Sequence, residues 1–495
     1  MSGRSSSSPG LGGSLNTPKI VLLVVAAAAP LAAVVGTVPL AFALGDGAGV
    51  PAVFVFAGLV LLCFSAGYAA MSRRIVNAGG FYTYVSLGLG RPPAVAAGLL
   101  AVLSYNAAAI GLTGAFGYFA AMTARIHGLD LPWEVWTALA VLLVAVLGYR
   151  QIDLSARVLA LLMAAEIGVL TVLDVAVVAD RGVHALPAAS MAPHTVLSGA
   201  VGVSMMFAFM SFIGFESAAL YGEETRNPTR TVPRATYASV VVIAGFYALT
   251  SWVAVGAIGA DQVRDVAGEQ LGNLFFTIST DHVGAWMTSL LQVLLCTSML
   301  AAILALHNAA NRYAFVLGRE GVLPSWLGRA HRSHGSPHRA SVAQSVLTVL
   351  VVGAFALAGL DPYTSLSTSL VGLGTLGIVV LQAAAALAVL GFFRRRADGH
   401  WWRTGLAPAL GALGLIASAV LLVANFPLLT GTDNAVVNAL PWLLVAAAVA
   451  GTVLALWLRA RRPERYAGLA AAEVREPEPR PAGARHRAAA RSAAR

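Results

Sequence analysis

The sequence predicts an all-α polytopic membrane protein with about twelve transmembrane helices, and three observations carry the prediction. Of the 495 residues, 58% are apolar and only 11% are charged, whereas about a quarter of a soluble domain's residues are charged. The mean hydropathy is +0.77. The apolar residues gather into twelve runs, most of them long enough at about 1.5 Å per residue to cross roughly 30 Å of hydrocarbon.

In chain order, the opening stretch MSGRSSSSPGLGGSLNTP is rich in Ser and Gly and lacks a signal-peptide pattern. Residues 1–18 are therefore expected to be a disordered tail. Apolar runs follow near 20–44, 51–71, 92–121, 132–149, 155–179, 196–221, 236–259, 284–310, 341–360, 366–392, 405–425 and 437–458. A basic, disordered tail is expected over 461–495.

Charge sets the orientation. With this number of crossings, only Arg125, Arg181 and Arg264 of the 32 Lys and Arg residues fall on the side opposite the termini. The positive-inside bias then predicts that both termini are cytoplasmic and that the protein sits in the plasma membrane. The net charge of +10 is accounted for by these topology signals and by a tail, Arg459 to Arg495, facing anionic inner-leaflet lipid. No nucleic-acid partner is implied. Cys63 and Cys296 lie within apolar runs and read as small core residues, not as a disulfide framework or metal ligands.

Two spans are built differently from the others. The first, VLLVVAAAAPLAAVVGTVPLAFALGDGAGVP, holds Pro30, Gly36 and Pro39, and an interior proline removes an amide and clashes with the preceding turn. The sixth, SMMFAFMSFIGFES, holds Ser211, Gly214, Glu216 and Ser217 before EETRNPTRTVPRA ends the helix and gathers Arg226, Arg230 and Arg234. A carboxylate at mid-bilayer costs at least about 2.5 kcal/mol, so Glu216 marks a functional pathway. A single proline commonly means no more than a kink. Interruptions paired five spans apart point instead to two broken helices lining a midplane site between inverted repeats. Spans one to five (19–180) and six to ten (196–392) would form the transport core, with two further helices over 393–460.

Other polar residues sit in apolar helices. Tyr105 and Asn106 in the third span suit either a ligand or an interhelical hydrogen bond worth about 0.6 kcal/mol. Gly111, Gly114 and Gly117 read as close helix packing, since a nucleotide loop needs a strand before it. His307, Asn308, Asn311 and Arg312 close the eighth span, with no positioned nucleophile and orienting acid to make a catalytic set. The basic loop from Arg319 to Arg339 is expected to anchor topology and to pack against EETRNPTR.

Three long motifs in order carry a family resemblance: AGGFYTYVSLGLGRP after the second span, GFES with EETRNPTRTVPRA, and NAANRYAFVLGREGVLPSWLGRAHRSHGSPHRA after the eighth. Over about residues 20 to 460 the chain resembles the amino acid–polyamine–organocation superfamily. That resemblance implies a leucine-transporter-like fold of two inverted five-helix repeats plus two extra helices, and a secondary permease that is proton-coupled or an exchanger. It also implies a ligand held between the first and sixth spans. There the sixth-span break falls at Ser211, Phe212, Ile213, Gly214 and Phe215, with Glu216 just beyond and Met210 where an aromatic gate can occur.

The first span departs from the family pattern. Many relatives carry Gly-Ser/Ala-Gly at the break, and the register here gives Ala32, Ala33 and Val34 between Pro30 and Gly36. Fewer glycines bring fewer free amides close to a carboxylate, which leaves amines or polyamines open as substrates. In sodium-independent relatives a lysine often lies nine residues after the residue corresponding to Arg157, and that position here is Glu166. A carboxylate there reverses the local charge. It would carry a proton, help bind a cation, pair with a basic substrate, or be satisfied by neighbouring hydroxyls or carbonyls.

These readings converge on a secondary transporter that moves an amino acid or related amine by alternating access, with protons as a second partner and no cofactor or metal. A membrane enzyme would show a catalytic set at one depth. A passive channel would show polar residues along several helices, whereas here they gather on spans one, three, five and six.

Overall fold

In lipid every backbone N–H and C=O must find its partner within the protein, so apolar runs of this length fold as helices. The computed structural model describes residues 16–75, 80–150, 156–216, 228–331, 336–396 and 399–470. The first crossing is split into α1 (Thr17–Ala27) and α2 (Pro30–Leu44). Next come α3 (Val50–Ser72), a short α4 (Gly80–Leu89), α5 (Arg91–Ile126), α6 (Trp133–Arg150) and α7 (Ala156–Arg181). A turn, α8 (Pro193–Val196), leads to α9 (Val201–Ser211), the first half of the sixth crossing. The chain resumes with α10 (Pro228–Ile258), the hairpin α11 (Val263–Gln270) and α12 (Leu274–His282), and α13 (Ala285–Arg319). After α14 (His338–Leu357), a π turn over Pro362–Ser367 opens α15 (Thr368–Arg394), and a second over Trp401–Leu406 opens α16 (Ala407–Ala424). Two single turns, α17 (Phe426–Leu429) and α18 (Ala435–Asn438), precede α19 (Pro441–Arg461) and α20 (Pro463–Gly468).

Among the described residues ten helices are long and apolar enough to cross a membrane, and two shorter ones, α2 and α9, belong to the interrupted crossings. The fold is leucine-transporter-like, with α1–α7 and α9–α15 as the inverted repeats and α16 and α19 added. The third crossing of each repeat is its longest helix, α5 with 36 residues and α13 with 35, and these two pack along each other. Burial ranks the layers. The most apolar stretch of α5 is 83% buried, whereas those of α6 and α19 are 22% buried and turn Leu142, Val449 and Val453 outward to lipid. All residues of α2 from Pro30 to Phe42 are buried, so the interrupted first crossing lies at the centre.

Close helix approach explains the small residues of the third span. A methyl group on Gly111 or Gly114 would meet the backbone of the π turn and of α15, and one on Gly117 would meet Trp133 and Thr137 of α6. Cys63 and Cys296 are free thiols, only partly buried.

Within the expected tail over 461–495, the chain stays against the bundle as far as Ala470. Arg91 at the start of α5 donates to the Ala467 and Leu469 carbonyls at 2.8 and 3.3 Å. Glu320, just past α13, accepts from the Ala470 amide at 3.1 Å and from the Tyr82 hydroxyl. A basic composition suggested a free tail, but these bonds hold α20, Leu469 and Ala470 against both long helices. Residues 1–15 and 471–495, Ser217, Arg226 and the EETRNPTR segment up to Asn227 lie outside the described residues.

Candidate functional site

Pro30 determines where the first crossing breaks. It has no amide to give and it disfavours right-handed helix at the residue before it. Ala29 leaves the right-handed region, and it takes not the extended backbone usual before proline but the left-handed region at φ 46°, ψ 71°, a conformation that costs a non-glycine residue about 1–3 kcal/mol. The break therefore falls at Ala28–Ala29, one turn before the expected Ala32, Ala33 and Val34, which lie with Gly36 inside the first two turns of α2. The physical reason is that proline is tolerated at the first helical position, where its missing N–H would be unpaired anyway, so it opens a helix instead of interrupting one.

Side chains from three other helices meet this break. Glu166 of α7 accepts on Oε2 from the Leu31 amide at 3.3 Å and from the Ser298 hydroxyl of α13 at 2.8 Å. Tyr247 of α10 donates to the Ala28 carbonyl at 3.3 Å. About two turns on, the Gly36 carbonyl accepts from Tyr363 at 3.1 Å, and Tyr363 stacks on Tyr118 with centroids 4.7 Å apart. Pro39, three residues after Gly36, has no amide to give the neighbouring Val35 carbonyl.

The second break lies across from the first. Helix α9 ends at Ser211, Phe212 to Gly214 form a turn, and Gly214 takes φ 108°, which glycine adopts without steric cost. Glu216 closes this turn on itself: Oε2 accepts from the Gly214 amide at 3.1 Å, and Oε1 accepts from Tyr105 of α5 at 2.7 Å. The Tyr105 ring stacks on Tyr313 of α13 at 5.7 Å. Phe215 packs edge-on against Phe64, and Phe212 is fully buried near Tyr247. Ile213 is buried and Met210 half-buried. The two breaks approach each other where the Thr37 and Ser211 hydroxyls lie 3.4 Å apart.

Thus Tyr105 reaches the second break, whereas its neighbour Asn106 turns its amide back to Val102 of its own helix at 2.7 Å. Glu166 reaches the first break and has no partner in common with Glu216. His307 joins α13 to α14 through Ser341 at 2.8 Å, away from both. Sequence reasoning missed Ser298, Tyr247 and Tyr363, whose hydroxyls lie in apolar runs much as that of Tyr105 does. It also missed two buried acids. Asp174 accepts from Thr250 at 2.7 Å. Asp46, in the turn after α2, is 1% exposed and neither carboxylate oxygen has full hydrogen-bond geometry. Around Asp46, its own amide donates to Ser204 at 2.8 Å and Arg264 of α11 donates to the Gly45 carbonyl at 2.8 Å.

Paired interruptions at the centre of inverted repeats are the architecture of secondary transporters, in which freed helix ends hold the ligand. Solved structures agree on the fold: a mutant of the Eremococcus coleocola manganese transporter superposes with a TM-score of 0.51 at 11% identity, covering 93% of this chain and all of that one. The sequence pattern described as "Amino acid permease" matches residues 15–454. The chain belongs to the amino acid permease family and is a multi-pass membrane transporter of a small-molecule substrate. A relative from Bacillus subtilis (strain 168), the branched-chain amino acid permease BcaP, is 26% identical over 360 residues, covering 69% of this chain and 74% of the relative. The low-affinity putrescine importer PlaP of Escherichia coli (strain K12) is 25% identical over 339 residues, 66% of this chain and 70% of its own.

Proposed function

We propose that this transporter carries an amino acid or related amine across the plasma membrane by alternating access, coupled to protons, with both termini cytoplasmic. The observation that carries the coupling is the position of Glu216, a buried carboxylate that closes the turn of one broken crossing and accepts from Tyr105 of α5, a helix of the opposite repeat. Substrate arriving at the break changes the charge and the hydrogen bonds around that carboxylate, and so changes its hold on a proton. One proton moved with each substrate supplies about 2.3 kcal/mol per 100 mV of membrane potential, enough to drive accumulation.

The relatives support both arms of the substrate class, since one is named for branched-chain amino acids and another for putrescine. The orientation is supported by the scarcity of basic residues in the loops opposite the termini.

Glu216→Gln tests the coupling, because it preserves shape and an acceptor for Tyr105 while removing the titrating group. In proteoliposomes the variant is expected to bind and exchange substrate but to lose its response to an imposed proton gradient. If gradient-driven accumulation persists at the wild-type level, Glu216 is a structural cap and the proton resides elsewhere, with Glu166 the next candidate.

A further inference from the structure

We infer that a groove floored by α3 and walled by α10 and α16 holds an anionic phospholipid, with its phosphate on Arg73 and Arg403 and an acyl chain along the apolar walls. Such a site needs neither the substrate nor the coupling proton.

The groove follows from where α3 touches its neighbours. A methyl group on Gly58 of α3 would meet Ala244 of α10, whereas one on Gly67 would meet Pro408 of α16, and one on Gly411 of α16 would meet Phe64. At about 100° per residue, Gly58 lies on one side of α3, and Phe64 and Gly67 lie on another. One of the two faces left between them is core, with Phe54, Ala57, Leu61 and Tyr68 buried. The other turns Val55, Phe56 and Leu59 outward, passes the small, half-buried Cys63 and Ala70, and ends at the exposed Arg73. It is a lipid-facing floor with a cation at one end.

The walls repeat this pattern. On α16, Leu406, Leu410 and Leu413 are exposed at i, i+4 and i+7, and Arg403 precedes them in the π turn, which packs against the end of α3. His400 fixes that turn, its Nδ1 accepting from the Trp402 and Arg403 amides at 3.2 and 3.4 Å. On α10, Val241 is exposed one turn after the half-buried Tyr237, and Arg234 is exposed one turn before it. Charge therefore collects at one end of the groove, and apolar surface lines the rest.

The charge there is unbalanced. Arg73 lies within electrostatic reach of Arg403 and Tyr237, and among the described residues neither arginine has an acidic partner. Burial and then the Arg403 charge pull the Arg73 guanidinium below its ordinary value, opposed by Tyr237. A phosphate between the two guanidiniums reverses that effect and accepts paired N–H bonds from their planar forks. The Tyr237 hydroxyl adds a third donor. A free phosphate would leave the apolar walls bare, whereas a phospholipid covers them. Trp401 and Trp402, exposed and edge-on to each other at 5.8 Å, mark this turn as headgroup depth.

The test uses the purified full chain in a neutral detergent, where no membrane surface potential draws anionic lipid. Native mass spectrometry reads the first lipid retained during titration with phosphatidylglycerol or phosphatidylcholine. One basic residue beside anionic lipid strengthens binding about fivefold, so Arg73→Gln combined with Arg403→Gln is expected to weaken the first phosphatidylglycerol about 25-fold. Arg459→Gln combined with Arg461→Gln removes the same charge from the end of α19 and is expected to leave that affinity unchanged. On the wild-type protein phosphatidylcholine is expected to bind about tenfold more weakly than phosphatidylglycerol, and inorganic phosphate is expected not to displace the lipid. No weakening in the Arg73 and Arg403 variant, or equal weakening by the α19 pair, overturns the inference, since net charge alone would then set lipid retention. Equal wild-type affinity for the two lipids also overturns it, and that comparison stands whether or not a variant folds. Displacement of phosphatidylglycerol by inorganic phosphate overturns the lipid assignment and makes the two arginines a site for a free anion.

Discussion

Replacing Glu166 separates its hydrogen-bonding role from its charge. In Glu166→Leu the Leu31 amide and the Ser298 hydroxyl both lose their acceptor in a dry part of the protein, since Leu31 is fully buried and Ser298 is 1% exposed. At about 1–3 kcal/mol for each orphaned donor the loss is about 2–6 kcal/mol. Average hydrogen-bond strengths measured between membrane helices, about 0.6 kcal/mol each, set a floor near 1 kcal/mol for the pair. In Glu166→Gln the side-chain oxygen still accepts, so stability should stay within about 1 kcal/mol of wild type. Ser298→Ala removes one donor and leaves the Leu31 bond, and should fall between them. The assay is thermal or denaturant unfolding of the purified proteins in one detergent, followed by transport against external pH for those that fold. Equal stability of the Leu and Gln variants would refute the idea that this carboxylate holds the opening turn of α2.

Two further outcomes follow from the geometry. Gly214→Ala places a methyl group on a residue at φ 108°, so a stability loss of about 1–3 kcal/mol is expected, and unfolding at the wild-type temperature would show that the turn does not need a left-handed residue. Burial pushes the Asp46 carboxyl up from 3.8 to about 6, opposed by Ser204, Arg264 and Gly199. The folded chain then holds this proton more tightly than the unfolded chain, so the contribution is full below 3.8 and is lost as pH rises through about 6. That amounts to on the order of 3 kcal/mol. Asp46→Asn should flatten the decline in unfolding temperature over this window, and a variant that keeps the wild-type slope would rule out Asp46 as its origin.

The crossings were legible because the bilayer asks only for length and apolarity, and that pattern survives any packing arrangement. The second break was legible for the same local reason: Gly214 and Glu216 stand together in an otherwise apolar run. The family register over Ala32, Ala33 and Val34 puts the first break one turn too late, whereas the decisive chemistry is the missing amide of Pro30 and the restriction it places on Ala29. The long-range partners were not legible at all. Glu166 and Leu31 are 135 residues apart, and Tyr105 and Glu216 are 111 apart. Nothing local distinguishes Tyr247 and Tyr363 from aromatic residues that merely fill space. The docking of residues 463–470 was not legible because charge composition says nothing about specific bonds such as that between Glu320 and the Ala470 amide.

The two breaks also differ in permanence. At the first, the bend rests on Pro30, which cannot donate to the preceding turn, and on Ala29, a residue with a side chain held in the left-handed region. At the second, the bend rests on a glycine, which passes between left- and right-handed backbone with little penalty, and on two hydrogen bonds to one carboxylate. The molecule therefore carries one stiff elbow and one more pliable joint, and a change of helix continuity would cost less at the sixth crossing than at the first.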